Sequence, residues 1–141
     1  MPDVFTAEKR SAVMALIRGS GNKATELRVI ALFRVNGITG WRRKSRLFGR
    51  PDFVFPAARV AVFVDGCFWH RHPGCKFSYT PKSRAEFWVP KFEKNIARDR
   101  LVTRTLRRAG WRVVRIWGCD LGPATSARVV EKISRALHPA S

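Results

Sequence analysis

The side chains able to do chemistry crowd into one short stretch, Val60 to Cys75, which reads VAVFVDGCFWHRHPGC. Within it stand Cys67, His70, His72 and Cys75; Cys119 lies further along, and the whole chain has only three cysteines and three histidines. These are five soft or borderline donors, and a tetrahedral zinc site takes four. Spacing leaves open which histidine is spare, because Cys67-x2-His70 is as ordinary as His72-x2-Cys75. Zinc would staple a loop that carries Phe68 and Trp69 side by side, a pair expected to be exposed. The bland alternative is three unrelated thiols, kept unpaired by a reducing cytoplasm.

Carboxylates supply a second chemistry. Asp52 opens one expected strand and Asp65 ends the next, so the two could approach one another across the turn between them. Oxygen ligands of this kind suit Mg²⁺, which keeps waters and also contacts substrate phosphates. That is the apparatus of metal-assisted phosphodiester hydrolysis. Glu26 is the third acid of interest. It shares a helical row with Ile30 and Phe33, so it would lie beside an apolar stripe and need a partner there.

Strands and helices must position these groups. Val60–Val64 is a continuous apolar run, as in a strand buried on both faces. Pro51–Phe55 precedes it across Pro56–Arg59, giving an antiparallel hairpin, and Trp41–Lys44 reads as a further strand or its edge. Helices are expected near 7–18 and 24–35, the second with Leu27, Ile30 and Phe33 inward. A long helix should begin with Pro90 in its first turn and reach Ala109, before Gly110 at the C′ position. Trp111–Trp117 is the last strand, with Cys119 just beyond it, and a helix over 124–137 closes the chain. The order α-α-β-β-β-α-β-α implies an α/β fold with a mixed central sheet flanked by helices.

At 141 residues one domain is expected, spanning 1–141, its arm and first helix at 1–20 reaching towards a partner. Charge says which partner: 28 Lys and Arg stand against 10 Asp and Glu, a formal +18. Such an excess asks for a polyanion, and arginine's planar fork suits phosphates and base edges. No apolar run approaches the ~18 residues a membrane span needs, and the start lacks a signal peptide's apolar segment.

Five segments then carry a resemblance: GRPDFVF (Gly49–Phe55), VDGCFWHRHPGC (Val64–Cys75), EFW (Glu86–Trp88), KNIARDR (Lys94–Arg100) and GWRVVRIWGC (Gly110–Cys119). With RSAVMALIRGSGNKATEL (Arg10–Leu27), they resemble the very-short-patch-repair (Vsr) DNA mismatch endonucleases over about residues 8–137. The resemblance implies a core related to the PD-(D/E)XK restriction enzymes, with a structural Zn²⁺ and a catalytic Mg²⁺. It implies Asp52 and the Val64 carbonyl as Mg²⁺ ligands, Glu26 as the helix acid near the metal, and His70 as the catalytic histidine. Cys67, His72, Cys75 and Cys119 are left for Zn²⁺. Phe68 and Trp69 match aromatics that wedge into DNA beside a T:G mismatch, with Met14 as helper. The motif lysine is missing: Asp65 stands in its place, as a further catalytic candidate, and Phe63 stands where the motif acid would be.

The expected activity is strand-specific, Mg²⁺-dependent nicking of double-stranded DNA at T:G mismatches left by deamination of 5-methylcytosine. The protein would act as a monomer on the nucleoid in the bacterial cytoplasm, away from any membrane, with mismatch-repair proteins as candidate partners. The rivals are a zinc-stapled DNA-binding module without catalysis and a restriction-associated nuclease of the same fold. A divalent-metal nicking assay on T:G and matched duplexes separates all three.

Overall fold

The structure is a computed structural model and describes residues 23–139. The helix expected at 7–18, with Met14, lies outside the described residues. Those described run α1 (Lys23–Val35), β1 (Arg42–Arg43), β2 (Phe53–Phe55), β3 (Val60–Asp65), α2 (Ala85–Arg108), β4 (Arg112–Trp117), a short 3-10 turn (Gly118–Leu121) and α3 (Ser126–Leu137).

One four-stranded sheet is ordered β1-β2-β3-β4. β2 pairs antiparallel with β3, Phe53 opposite Val62 and Phe55 opposite Val60, so the expected hairpin is present. β3 pairs parallel with β4 from Val60–Arg112 to Asp65–Trp117. A parallel pair needs a long crossover, and α2 supplies it. Every residue of β3 is buried, because helices cover the sheet on both sides. On one face Phe53, Val60, Val62 and Val64 pack with Val29, Ile30 and Phe33 of α1 and with Val129 and Ile133 of α3. On the other, Val54, Ala61 and Phe63 meet Val102 and Leu106 of α2.

Three expectations change. Leu27 is 49% exposed. The stripe meeting the sheet runs through Val29, Ile30 and Phe33, and Leu27 lies about 200° round the helix from Val29 at 100° per residue. The long helix starts at Ala85, so Pro90 falls inside it rather than in its first turn. An interior proline costs about 3 kcal/mol of helix propensity. The early start is offset by burial of Trp88 and Phe92, which join Phe68 in a separate aromatic cluster, each large apolar side chain contributing roughly 1.5–3 kcal/mol. Finally, β1 is only Arg42–Arg43, a short edge pair rather than a strand over Trp41–Lys44. Gly110 does take the positive φ, 91°, that a helix C′ position favours.

Candidate functional site

β3 and β4 run parallel and end together, so whatever follows Asp65 and Trp117 is delivered to the same edge. After β3 the chain winds tightly: the His70 N–H donates to the Gly66 carbonyl at 3.0 Å and the His72 N–H to the Cys67 carbonyl at 3.1 Å. These turns point His70 and His72 to different neighbours.

His72 turns to the thiols. Ligand atoms of Cys67, His72, Cys75 and Cys119 all lie within 4.8 Å of one another. Cys67 Sγ is 3.7 Å from His72 Nδ1, Cys119 Sγ is 3.3 Å from the same nitrogen, and Cys75 and Cys119 Sγ are 3.9 Å apart. Tetrahedral zinc, with bonds of about 2.3 Å to sulfur and about 2.0 Å to nitrogen, separates its donors by roughly 3.5–3.8 Å. The set therefore fits zinc in both chemistry and spacing. Burial pushes the Cys119 thiol up to about 12 and the neighbouring thiols add to the shift, whereas at Cys75 burial is outweighed by hydrogen bonds from the Phe77 and Ser78 backbone and from the other thiols, which bring it down. The His72 ring also stacks on Trp117, centroids 4.3 Å apart and planes 13° from parallel, which fixes its orientation.

His70 turns to acids. Its Nδ1 stands 2.5 Å from Asp99 Oδ2 and 3.8 Å from Asp65 Oδ1. Asp99 comes from α2, on the same inward row as Trp88, Phe92 and Asn95. An acid on that otherwise apolar row was the signal available in the sequence, and neither composition nor motif spacing singles it out. Asp65 is buried, and Arg115 Nη1 donates to its two oxygens at 3.1 and 3.0 Å. Burial pushes the Asp65 carboxyl up, against the pull of His70 and Arg115. Burial pulls His70 down, but the Asp99 hydrogen bond and the charges of Asp65 and Asp99 outweigh it, so its pKa is raised.

Asp52 and Asp65, at neighbouring strand ends, take different partners. Asp52 is buried, and one of its oxygens accepts the Val64 N–H at 2.7 Å. This links the carboxylate directly to the backbone of residue 64, on the strand opposite. Among the described residues the acidic group able to surround a metal is Asp65, His70 and Asp99; it includes neither Asp52 nor Glu26. Glu26 has the partner its place demanded: Arg43 on β1 makes an ion pair with it. As oxygen donors, Asp52 and the neighbouring main chain at Val64 suit Mg²⁺.

The aromatic pair also differs from expectation. Phe68 is 5% exposed. Trp88, Phe92, Trp69 and Tyr79 surround it at ring distances of 5.2–5.5 Å. Trp69 is half-buried, its carbonyl held by Asn95 Nδ2 at 3.3 Å and its indole N–H without a partner among the described residues. Sequence reasoning placed both rings at an exposed loop tip because it began α2 too late to bring Trp88 beneath them. Arg71, with φ 56°, ties the loop down: its guanidinium lies 4.0 Å over Phe92 and donates to the Ser78 and Tyr79 carbonyls at 2.8 and 2.9 Å.

A family model described as DNA mismatch endonuclease Vsr matches residues 2–76. The type II nicking enzyme V.XorIIP of Xanthomonas oryzae pv. oryzae is 41% identical over 121 residues, covering 86% of this chain and 88% of its own. DNA mismatch endonuclease Vsr of Escherichia coli K12 is 39% identical over 121 residues, covering 86% and 76%. The type II nicking enzyme V.NmeAIP of Neisseria meningitidis is 36% identical over 138 residues, covering 98% and 96%. On the strength of both the family match and these relatives, the chain belongs to the Vsr family of DNA mismatch endonucleases.

Proposed function

We propose that this protein nicks one strand of double-stranded DNA at T:G mismatches, in a Mg²⁺-dependent reaction carried by Asp52, His70 and Asp99. The observation that bears most weight is the His70–Asp99 pair at 2.5 Å, beside buried Asp65 at the end of β3. A binding module has no use for a histidine oriented by a carboxylate, whereas hydrolysis needs a general base. Asp99 accepts the Nδ1–H, so Nε2 keeps its lone pair free to take a proton from attacking water, and Asp99 then steadies the imidazolium. Asp52, with the Val64 carbonyl, would hold Mg²⁺; when bound, the ion supplies charge neutralisation and Lewis acidity at the scissile phosphate. Glu26, paired with Arg43, would be the helix acid near that metal. The Cys67, His72, Cys75 and Cys119 set would hold a structural Zn²⁺ within a restriction-endonuclease-like core.

Recognition rests on the aromatic cluster. Trp69, the less buried of the two rings, would meet an opened base step, with Phe68 packed edge-on against it and Met14 assisting. Inserted apolar rings offset the few kcal/mol that unstacking costs, least at a mismatch.

The deciding experiment is nicking of T:G and matched duplexes with identical flanks, with and without Mg²⁺. The parent protein should nick only the T:G duplex and only with the ion. Asp52→Ala should bind that duplex and leave it intact, and Trp69→Ala should lose about 10-fold or more of its preference, the worth of one stacked base. Nicking by Asp52→Ala at the parent rate would place the metal elsewhere.

A further inference from the structure

Among the described residues, Arg115 is the one arginine or lysine in contact with both Asp65 and the residue that orients His70, and no step proposed above uses it. We propose that Arg115 is a positioning residue: its three guanidinium nitrogens lock α2 to the ends of β3 and β4, and so hold Asp99 against His70. This rests on the endonuclease reading.

Arg115 stands opposite Phe63 in the β3–β4 register, and its guanidinium lies 4.4 Å from the Phe63 ring centroid. Each nitrogen has a different errand. Nε donates to Thr103 Oγ1 at 3.1 Å, Nη1 to the Asp65 oxygens at 3.1 and 3.0 Å, and Nη2 to the Asp99 carbonyl at 3.1 Å. Thr103 is one turn beyond Asp99, so two of the three donors hold α2 at the residue that reaches His70 and one turn after it. Elsewhere α2 meets the sheet through the apolar side chains Val102 and Leu106, and the site loop through Trp88, Phe92 and a single hydrogen bond from Asn95 to the Trp69 carbonyl. The apolar contacts are non-directional and resist a small slide of the helix only weakly. Hydrogen bonds along three fixed directions of a planar fork resist it strongly, and a lysine cannot reproduce them. The same fork donates through Nη1 to both Asp65 oxygens, so Asp65 is the counter-charge of the clamp.

The test is steady-state nicking of a T:G duplex with Mg²⁺ by Arg115→Lys, Arg115→Met, Thr103→Val and Asp99→Asn, singly and with Asp99→Asn combined, alongside thermal melting of each. Arg115→Lys keeps a charge beside Asp65 and so keeps the fold. Its kcat should fall by about 10-fold or more with KM unchanged, and that of Arg115→Met by about 10²-fold, the usual consequence of displacing a reacting group by ~1 Å. Thr103→Val should lower kcat by a few-fold, again at constant KM. In the Asp99→Asn background the same Arg115 substitutions should cost less than about 3-fold more, because residues acting as one unit are not additive. A lowered melting temperature with parent kcat in Arg115→Lys would overturn the proposal. So would a raised KM at parent kcat, which means a direct phosphate contact, or a full additive loss in the Asp99→Asn background. If Arg115→Met does not fold, Arg115→Lys and Thr103→Val decide. A parent protein that does not nick defeats the endonuclease reading itself, whereas an Asp99→Asn variant that nicks normally removes Asp99 from the reaction and the clamp with it. Nicking lost in Asp99→Asn but intact in Arg115→Lys defeats only the clamp.

Discussion

His70 and His72 are two residues apart and face different chemistries, one meeting Asp99 and the other the thiols. Their substitutions should therefore fail in different ways. His70→Ala should keep about one zinc per chain and lose ~10²–10⁴ in rate, the usual worth of a general base. His72→Ala should lose zinc and melt earlier, as should Cys119→Ser. Metal content and melting temperature, measured beside the nicking rate, check the split, and the reverse pattern would exchange the two roles. The raised pKa of His70 adds a pH signature. A base must be neutral, so the rate should climb as pH rises, with a midpoint above the ordinary histidine value of about 6.5. Stability should move the other way. The ion pair's contribution is fully present below the unfolded value of about 6.5 and is lost as pH rises through the higher folded value. A pH–rate profile and a parallel series of denaturant melts read both trends, and a rate midpoint below 6.5 would remove His70 as the base.

At the scale of elements, the site depends on how α2 sits against the loop that precedes Asp52. Gly49 has φ 79°, and a Cβ added there would meet Val102 Cγ1 of α2 at 2.3 Å. Only glycine allows both the left-handed turn and that approach. Gly49→Ala should cost about 1–3 kcal/mol through overpacking, with backbone strain adding roughly 1 kcal/mol. It should also slow nicking, because the helix it pushes carries Asp99. Gly37 has a positive φ but open space, so Gly37→Ala should carry the strain alone. Urea melts of the two variants distinguish them, and equal losses would mean that Val102 moves aside freely. The loop that carries Cys67, His72 and Cys75 is an element of the same kind. Pro73, Gly74 and Lys76 are exposed, so its shape depends on the Cys67, His72, Cys75 and Cys119 cluster and on the Arg71 clasp.

For the whole molecule the governing quantity is the net charge of +18. Lys91, Lys94, Arg98, Arg104, Arg107 and Arg108 line the solvent side of α2, and all are exposed. Cations of this kind bind phosphate without reading sequence, so affinity for matched duplex should fall by about 10²-fold or more from about 50 to about 200 mM salt. The preference for T:G over matched DNA, which depends on stacking, should change far less over that range. Competition binding at several salt concentrations tests this. Discrimination that collapses in step with affinity would mean that charge, not the aromatic cluster, does the choosing.

The chain's local patterns determined its strands, the hairpin, the C′ glycine and the polyanionic partner class, because periodicity and charge are written residue by residue. They also brought five metal donors into view without saying which histidine was spare, since spacing along the chain does not state direction in space. The family resemblance assigned His72 to the thiols, and the tertiary structure supplies the physical reason. Parallel pairing of β3 and β4 delivers Cys119 to the thiols, and tight turns after Asp65 swing His72 towards them and His70 away. Asp99, Arg115 and the burial of Phe68 were likewise invisible locally, because each depends on residues far apart in the chain meeting across α2. Helix propensity set Pro90 as a start signal, and packing of Trp88 and Phe92 on Phe68 overrode it.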